Sequence, residues 1–159
     1  MKAVRMNLGR RLQWLWLVGW LALASVSSGQ EVPKLQWKTD YTKAHQQRIS
    51  ENRPMLVFIT MDGCHFCERM MKTTYADSEV ARQIQSDFVP TYIDGERQNE
   101  LARQFRVRVF PTTYLIAADN RVVDRIEGYI SADDFKSRIR NAVNASADAR
   151  GAQDASKTR

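Results

Sequence analysis

The two cysteines of this 159-residue chain, Cys64 and Cys67, are separated by two residues and follow an apolar, β-branched run at 55–60. Gly63 lies between that run and the first cysteine, a pattern that predicts a strand ending in a turn and continuing as a helix. A cysteine in the first turn of a helix lies over unpaired backbone N–H groups, where the helix dipole favours the thiolate over the thiol. We therefore expect Cys64 to be the attacking sulfur of a redox-active pair and Cys67 to be the sulfur that resolves the mixed disulfide.

The spacing of this pair favours redox chemistry over a structural disulfide. A structural bridge gains stability by closing a long loop, and a two-residue loop constrains the unfolded chain little. Zinc needs four ligands, and the chain adds only His45 and His65, with His45 on an earlier predicted helix. The sequence thus predicts no bound metal and no cofactor, although three methionines near the thiols, Met61, Met70 and Met71, leave Cu(I) coordination as an alternative.

The first 29 residues have the layout of a secretory signal peptide. A basic start, 1–11, precedes a largely apolar run, 12–26, and then small residues at 27–29. The run is shorter than the ~20 residues that a membrane-spanning helix needs, so we expect cleavage, and membrane attachment only if the segment stays uncleaved. This layout predicts an exported, periplasmic protein.

The net charge of +6 does not indicate a nucleic-acid ligand. Four basic residues, Lys2, Arg5, Arg10 and Arg11, lie in the first 29 residues, where there is no acidic residue. The remainder is close to neutral and has no basic cluster interleaved with aromatic residues, so we expect no nucleic-acid partner.

Hydrophobic periodicity and turn residues predict alternating strands and helices from residue 30 to residue 144. Asp40 or Thr39 is expected to cap the first helix, with apolar positions at Tyr41, Ala44 and Ile49, and Asp77 to cap a later one. Strands are predicted at 35–37, 55–60, 88–93, 113–117 and 121–126, and helices at about 40–51, 65–75, 78–85, 99–105 and 131–143. The tail, 145–159, lacks large apolar residues and is expected to be disordered. This order is that of an α/β domain with a mixed sheet covered by helices on both faces.

From about residue 35 to residue 143 the chain resembles the thioredoxin-fold family. Gly63-Cys64-His65-Phe66-Cys67 stands in the place of the family's active-site motif, and Phe110-Pro111-Thr112 in the place of its cis-proline loop. The chain departs from cytosolic thioredoxins in lacking Trp before the first cysteine and Gly-Pro between the two. The carboxylate that the family commonly buries six residues before the first cysteine is replaced by Phe58, and a lysine often found near it by Pro90.

The resemblance also assigns residues around the cysteines. It implies a cis peptide bond at Pro111, with flanking backbone able to pair with a substrate strand, and it places Phe110 on the substrate-facing rim, with core packing as the alternative. His65, when protonated, is expected to stabilise the Cys64 thiolate and tune the redox potential. Arg106 and Arg108 are interpreted as a solvated face.

The function expected from these residues is that of an exported thiol–disulfide oxidoreductase, an enzyme with Cys64 and Cys67 as its catalytic residues. Its partners would be protein thiols or disulfides and an unidentified redox partner that recycles the pair. Two alternatives stay open: a thioredoxin-like Cu(I) carrier, and a non-catalytic thioredoxin-like interaction domain whose cysteines form only a local bridge.

Overall fold

The computed structural model describes residues 34–157, with side chains to residue 148. The expected signal segment, 1–29, lies outside these residues. Within the described part no helix is long and apolar enough to cross a membrane. The elements are the helices α1 (Tyr41–Ser50), α2 (His65–Lys72), α3 (Ser78–Asp87), α4 (Asn99–Gln104) and α5 (Ala132–Lys157), and the strands β1 (Met55–Thr60), β2 (Val89–Asp94), β3 (Thr112–Ile116) and β4 (Val122–Glu127).

The four strands form one mixed sheet with the order β2-β1-β3-β4. β1 is central: it pairs in parallel with β2 and antiparallel with β3, and β3 pairs antiparallel with β4. This register places Phe58 of β1 between Tyr92 of β2 and Thr113 of β3. The strand that leads into the cysteines therefore has a hydrogen-bonded neighbour on each side.

Both faces of the sheet are covered, as the sequence predicts. Side chains of β1 alternate between the faces because successive residues of a strand point in opposite directions. Leu56 and Phe58 join a core cluster with Ile84 of α3 and Phe135 of α5, whereas the other face joins residues of β1 to α1 and α4. All six residues of β1 are buried, which explains its unbroken apolar sequence.

The strand expected at 35–37 does not form. The segment makes only a single parallel bridge, between Lys38 and Thr91, in which Lys38 N donates to Pro90 O at 2.8 Å and Tyr92 N donates to Lys38 O at 2.8 Å. Asp40 caps α1 two residues later, so the chain turns away before more of β2 can be paired.

The prediction that Ile49 of α1 faces the core is also wrong. Ala44 is buried, but Ile49 is 59% exposed and Arg48 takes the inward position instead. The Arg48 guanidinium donates to the carbonyl oxygens of Ala117 (3.3 Å) and Ala118 (3.0 Å) and to Asn120 Oδ1 (2.8 Å). These acceptors lie in the turn between β3 and β4, and they compensate the cost of burying the charge.

The last helix extends further than expected. The sequence predicts disorder from residue 145, whereas the backbone of α5 stays helical to Lys157. Ser146 is buried and its hydroxyl donates to Ala142 O at 2.8 Å, so packing continues past residue 144. The segment beyond it is rich in alanine, which has the highest helix propensity, and that local preference outweighs the absence of large apolar residues.

Candidate redox site

The cysteine pair is at the junction of β1 and α2. Gly63 has φ +68°, a left-handed conformation that glycine adopts without strain, and it turns the chain between the two elements. Cys64 is the N-cap residue of α2, with extended backbone, and is disulfide-bonded to Cys67 at a Cα–Cα distance of 5.2 Å. Cys67 N donates to Cys64 Sγ at 3.2 Å, so one backbone donor of the first turn points at the first sulfur.

The two cysteines differ in exposure. Cys67 is only 3% exposed and belongs to the core cluster that contains Phe58 and Met70. Cys64 is half-buried and packs against the edge of the same cluster. An incoming sulfur therefore has easier access to Cys64 than to Cys67.

The two residues between the cysteines are exposed. The side chain of His65 faces solvent, and Phe66 is 52% exposed, with a distance of 5.6 Å between the two ring centroids. Of the neighbouring methionines Met61 is exposed, Met70 is fully buried in the core and Met71 is half-buried. Among the residues that the structure describes, no group of three or more His, Cys, Asp or Glu side chains is placed to hold a metal ion.

Aromatic rings form the floor beneath the pair. Phe58, in the position where the family commonly has a carboxylate, is fully buried, with ring centroids at 4.9 Å from Tyr75, 5.8 Å from Trp37 and 6.0 Å from Tyr92. The Tyr75 hydroxyl shares a buried hydrogen bond of 2.8 Å with Thr113 Oγ1. Burial strongly raises the pKa of Tyr75, so this hydroxyl stays uncharged.

Sequence reasoning missed this hydroxyl pair. Tyr75 and Thr113 are 38 residues apart, and they meet because the β1–β3 register places Thr113 beside Phe58, whose ring packs on Tyr75. No local pattern signals such a contact.

The peptide bond between Phe110 and Pro111 is cis, as the resemblance implies. The loop is fixed on both sides of it: Thr112 Oγ1 donates to Val109 O at 2.6 Å, and Gly128 N donates to Pro111 O at 2.7 Å. Pro111 itself is buried at the start of β3.

Phe110 is half-buried and packs against both core clusters, including the one that Cys64 contacts. A Cβ placed on Gly95, in the turn after β2, would lie 2.9 Å from Phe110 Cε1, so the ring fills the space that the glycine leaves. Most of the Phe110 side chain therefore packs against the core. The exposed apolar residue of the loop is Val109, which is 44% exposed and which sequence reasoning did not single out.

The comparisons with known proteins agree with this geometry. Residues 41–142 match the family model described as Thioredoxin-like domain. Thioredoxin Y2 of Arabidopsis thaliana chloroplasts is 26% identical over 94 residues, which are 59% of this chain and 54% of that protein, so the chain spans about half the length of this curated relative.

Two solved structures share the fold at low identity. A thioredoxin from Thermus thermophilus has a TM-score of 0.66 and 23% identity, covering 72% of this chain and 91% of that one. A DsbH oxidoreductase has a TM-score of 0.62 and 21% identity, covering 70% of this chain and 86% of that one.

The chain belongs to the thioredoxin-like domain family. Its mixed sheet, its Cys64–Cys67 pair at a helix start and its cis-proline loop are the features of a thioredoxin-like fold.

Proposed function

We propose that this chain is an exported thiol–disulfide oxidoreductase that exchanges disulfides with client proteins through Cys64-His65-Phe66-Cys67. The observation that carries the proposal is the unequal exposure of the two sulfurs, with Cys64 half-buried at the N-cap of α2 and Cys67 3% exposed in the core. An interaction domain with a merely local bridge has no need for one accessible and one protected sulfur. Export to the periplasm rests on the basic, apolar and small-residue layout of the first 29 residues.

The exchange requires two sulfur transfers. With the pair reduced, the Cys64 thiolate attacks a client disulfide, so that a Cys64–client bond forms, the client's S–S bond breaks and the departing client thiolate takes up a proton. The Cys67 thiolate then attacks Cys64 Sγ and releases the second client sulfur. The client gains two electrons and the pair becomes the disulfide; the reverse sequence oxidises a client dithiol.

The neighbouring residues have supporting roles in this proposal. The α2 N-terminus stabilises the Cys64 thiolate, and His65 adds positive charge when protonated. The backbone beside Pro111 binds the client strand next to Cys64, while Phe110 holds that loop through its packing against the core.

The proposal is tested by trapping. Cys67→Ser is expected to accumulate mixed disulfides between Cys64 and client proteins, because the thiolate that releases them is gone. Cys64→Ser is the matched control and should trap few, since its remaining thiol is protected. The measurement is non-reducing electrophoresis of tagged variants from periplasmic extracts, followed by mass spectrometry of the trapped clients.

Equal trapping by both variants, or none by either while the wild type turns over, would contradict the assigned roles. Stoichiometric copper on wild-type protein purified anaerobically with copper present, together with an absence of trapped clients, would instead support the Cu(I) carrier.

A further inference from the structure

We propose that a basic groove beside the cis-proline loop selects clients with acidic residues close to the reactive cysteine, an inference that rests on the proposed function. The groove, here the arginine groove, is an opening of about 450 Å³ lined by Arg106, Arg108, Val109, Arg125 and Glu127. Its residues come from the loop between α4 and β3 and from β4. With three arginines and one glutamate, its lining carries net positive charge.

The walls of the arginine groove are held in place by contacts of Arg125 and Thr112 with neighbouring residues. Arg125 Nη2 donates to Arg106 O at 3.1 Å, its guanidinium carbon lies 5.4 Å from the centroid of the Tyr114 ring, and it is paired with Glu127. Thr112 fixes Val109 O at the other end of the loop. A preorganised wall binds a charged ligand at a lower entropic cost than a mobile one.

Two positive charges in the groove have no internal partner. The side chains of Arg106 and Arg108 are exposed and make no hydrogen bond or ion pair with any residue in the described part of the chain. Several other exposed arginines are engaged, for example Arg97 with Asp94, Arg103 with Glu100 and Arg121 with Asp119. Unpaired guanidinium groups favour carboxylate ligands, which they can bind through two parallel hydrogen bonds.

The arginine groove is continuous with the place where a client strand would bind. Val109 lines the groove and immediately precedes Phe110 and the cis bond to Pro111. Arg108 precedes Pro111 by three residues, so the arginine groove begins beside the loop with which a client strand would pair. An extended client strand rises about 3.3 Å per residue, and we therefore expect acidic residues close in sequence to the reacting cysteine to lie nearest to the groove.

The test compares short peptides that each contain one cysteine flanked on both sides by two aspartates, two serines or two lysines. Oxidised wild-type protein is mixed with each peptide thiol at low ionic strength, and mixed-disulfide formation is followed by acid quenching and mass spectrometry. Each rate is divided by the rate of the same peptide with hydroxyethyl disulfide, because flanking charges alter thiol reactivity by themselves.

We expect the normalised rate for the aspartate peptide to exceed that for the lysine peptide by about tenfold in the wild type, and the ratio to fall as salt is added. The ratio should fall to about two in the double variant Arg106→Asn/Arg108→Ser. Asparagine is chosen because Arg106 has φ +52°, which asparagine tolerates. Arg108→Ser alone should lower the ratio by a smaller factor, and it keeps the test available if the double variant misfolds.

Arg82→Ser on α3 is the matched control, since Arg82 is also exposed and makes no ion pair with the described residues, and α3 packs against α5 and β2. It should leave the ratio unchanged. A wild-type ratio near one, or an equal fall in the Arg82 and Arg108 variants, would overturn the arginine groove as a selector. Failure of the wild type to react with any of the peptides, the serine one included, would count against the proposed function instead.

Discussion

His65 is the first residue of α2, and its exposed side chain follows directly on the half-buried Cys64. A positive charge at this point stabilises the Cys64 thiolate, as does the helix N-terminus. Both effects stabilise the reduced form relative to the disulfide and so make the pair more oxidising. Phe58, which is fully buried, places no negative charge at the position where the family commonly has a carboxylate.

We predict a redox potential more oxidising than that of thioredoxin, at about −270 mV, and a shift of about 10–20 mV towards more reducing values in His65→Ala. A glutathione redox titration of the wild type and the variant at pH 6 measures the shift.

The other histidine provides the control for this experiment. His45 lies on α1, beside Tyr41 and Arg48, and His45→Ala should leave the potential unchanged. A wild-type potential at or below that of thioredoxin, or identical potentials in the wild type and His65→Ala at pH 6, would refute the role of the imidazole.

Among the helices, α3 begins at a side-chain cap that also carries charge. Asp77 Oδ1 accepts from Glu79 N and Val80 N, both at 3.0 Å, and Lys136 Nζ lies at 3.4 Å. The hydrogen bond from Val80 N is the main cause that lowers the pKa of Asp77; partial burial opposes it, and the attraction of Lys136 adds to it. The folded state therefore favours the ionised carboxylate.

We predict that Asp77→Ala lowers the free energy of unfolding by about 1 kcal/mol at pH 7. Because the folded pKa is depressed, this contribution is present above the ordinary carboxyl value of 3.8 and is lost as the pH falls through the lower folded value. The difference between wild type and variant should thus shrink below pH 4. Urea denaturation at pH 7 and at pH 3 measures both ends.

Asp77→Asn separates the cap from the charge. Asparagine caps helices about as well as aspartate, so this variant should keep most of the stability at pH 7 while losing the pH dependence that Asp77 contributes. An Asp77→Ala deficit of the same size at pH 3 and at pH 7 would show that the carboxylate's ionisation is irrelevant.

Local signals explain which elements could be predicted from the sequence. Asp40 and Asp77 cap α1 and α3 as expected, because a cap involves only a side chain and the next three residues. The two-residue cysteine spacing identifies the redox site for the same reason.

Features that depend on distant partners could not be read in this way. The segment 35–37 has a strand-like sequence but too little of β2 available to pair with, and Arg48 is buried only because the turn after β3 supplies carbonyl oxygens 69 and 70 residues away. The arginine groove could not be predicted from the sequence, because the contact between Arg125 and Arg106 depends on the pairing of β3 with β4.

At the scale of the whole molecule, the aromatic floor under the cysteines takes the place of a buried charge. Phe58 is enclosed by the rings of Trp37, Tyr75 and Tyr92, none of which carries a positive charge that could pair with a carboxylate. Phe58 lies on β1, which has β2 on one side and β3 on the other and leads directly into the cysteines.

We predict that Phe58→Asp, which introduces the carboxylate common in the family, lowers the free energy of unfolding by more than about 3 kcal/mol at pH 7, because it buries an unpaired charge. Phe58→Leu, the apolar control, should cost only about 1 kcal/mol, because it leaves a small unfilled volume but buries no charge. Urea denaturation of the three proteins measures both effects. A Phe58→Asp variant as stable as Phe58→Leu at neutral pH would show that this environment already accommodates a negative charge.

The cysteines and the arginine groove come from different segments of the chain. The sulfurs belong to the β1–α2 junction, whereas the groove is formed by the loop before β3 and by β4, and no residue of α2 lines it. Substitutions in one segment leave the contacts of the other in place. Substitutions in the arginine groove can therefore change client selection without changing the redox potential of the cysteine pair. The two properties can evolve independently in related chains.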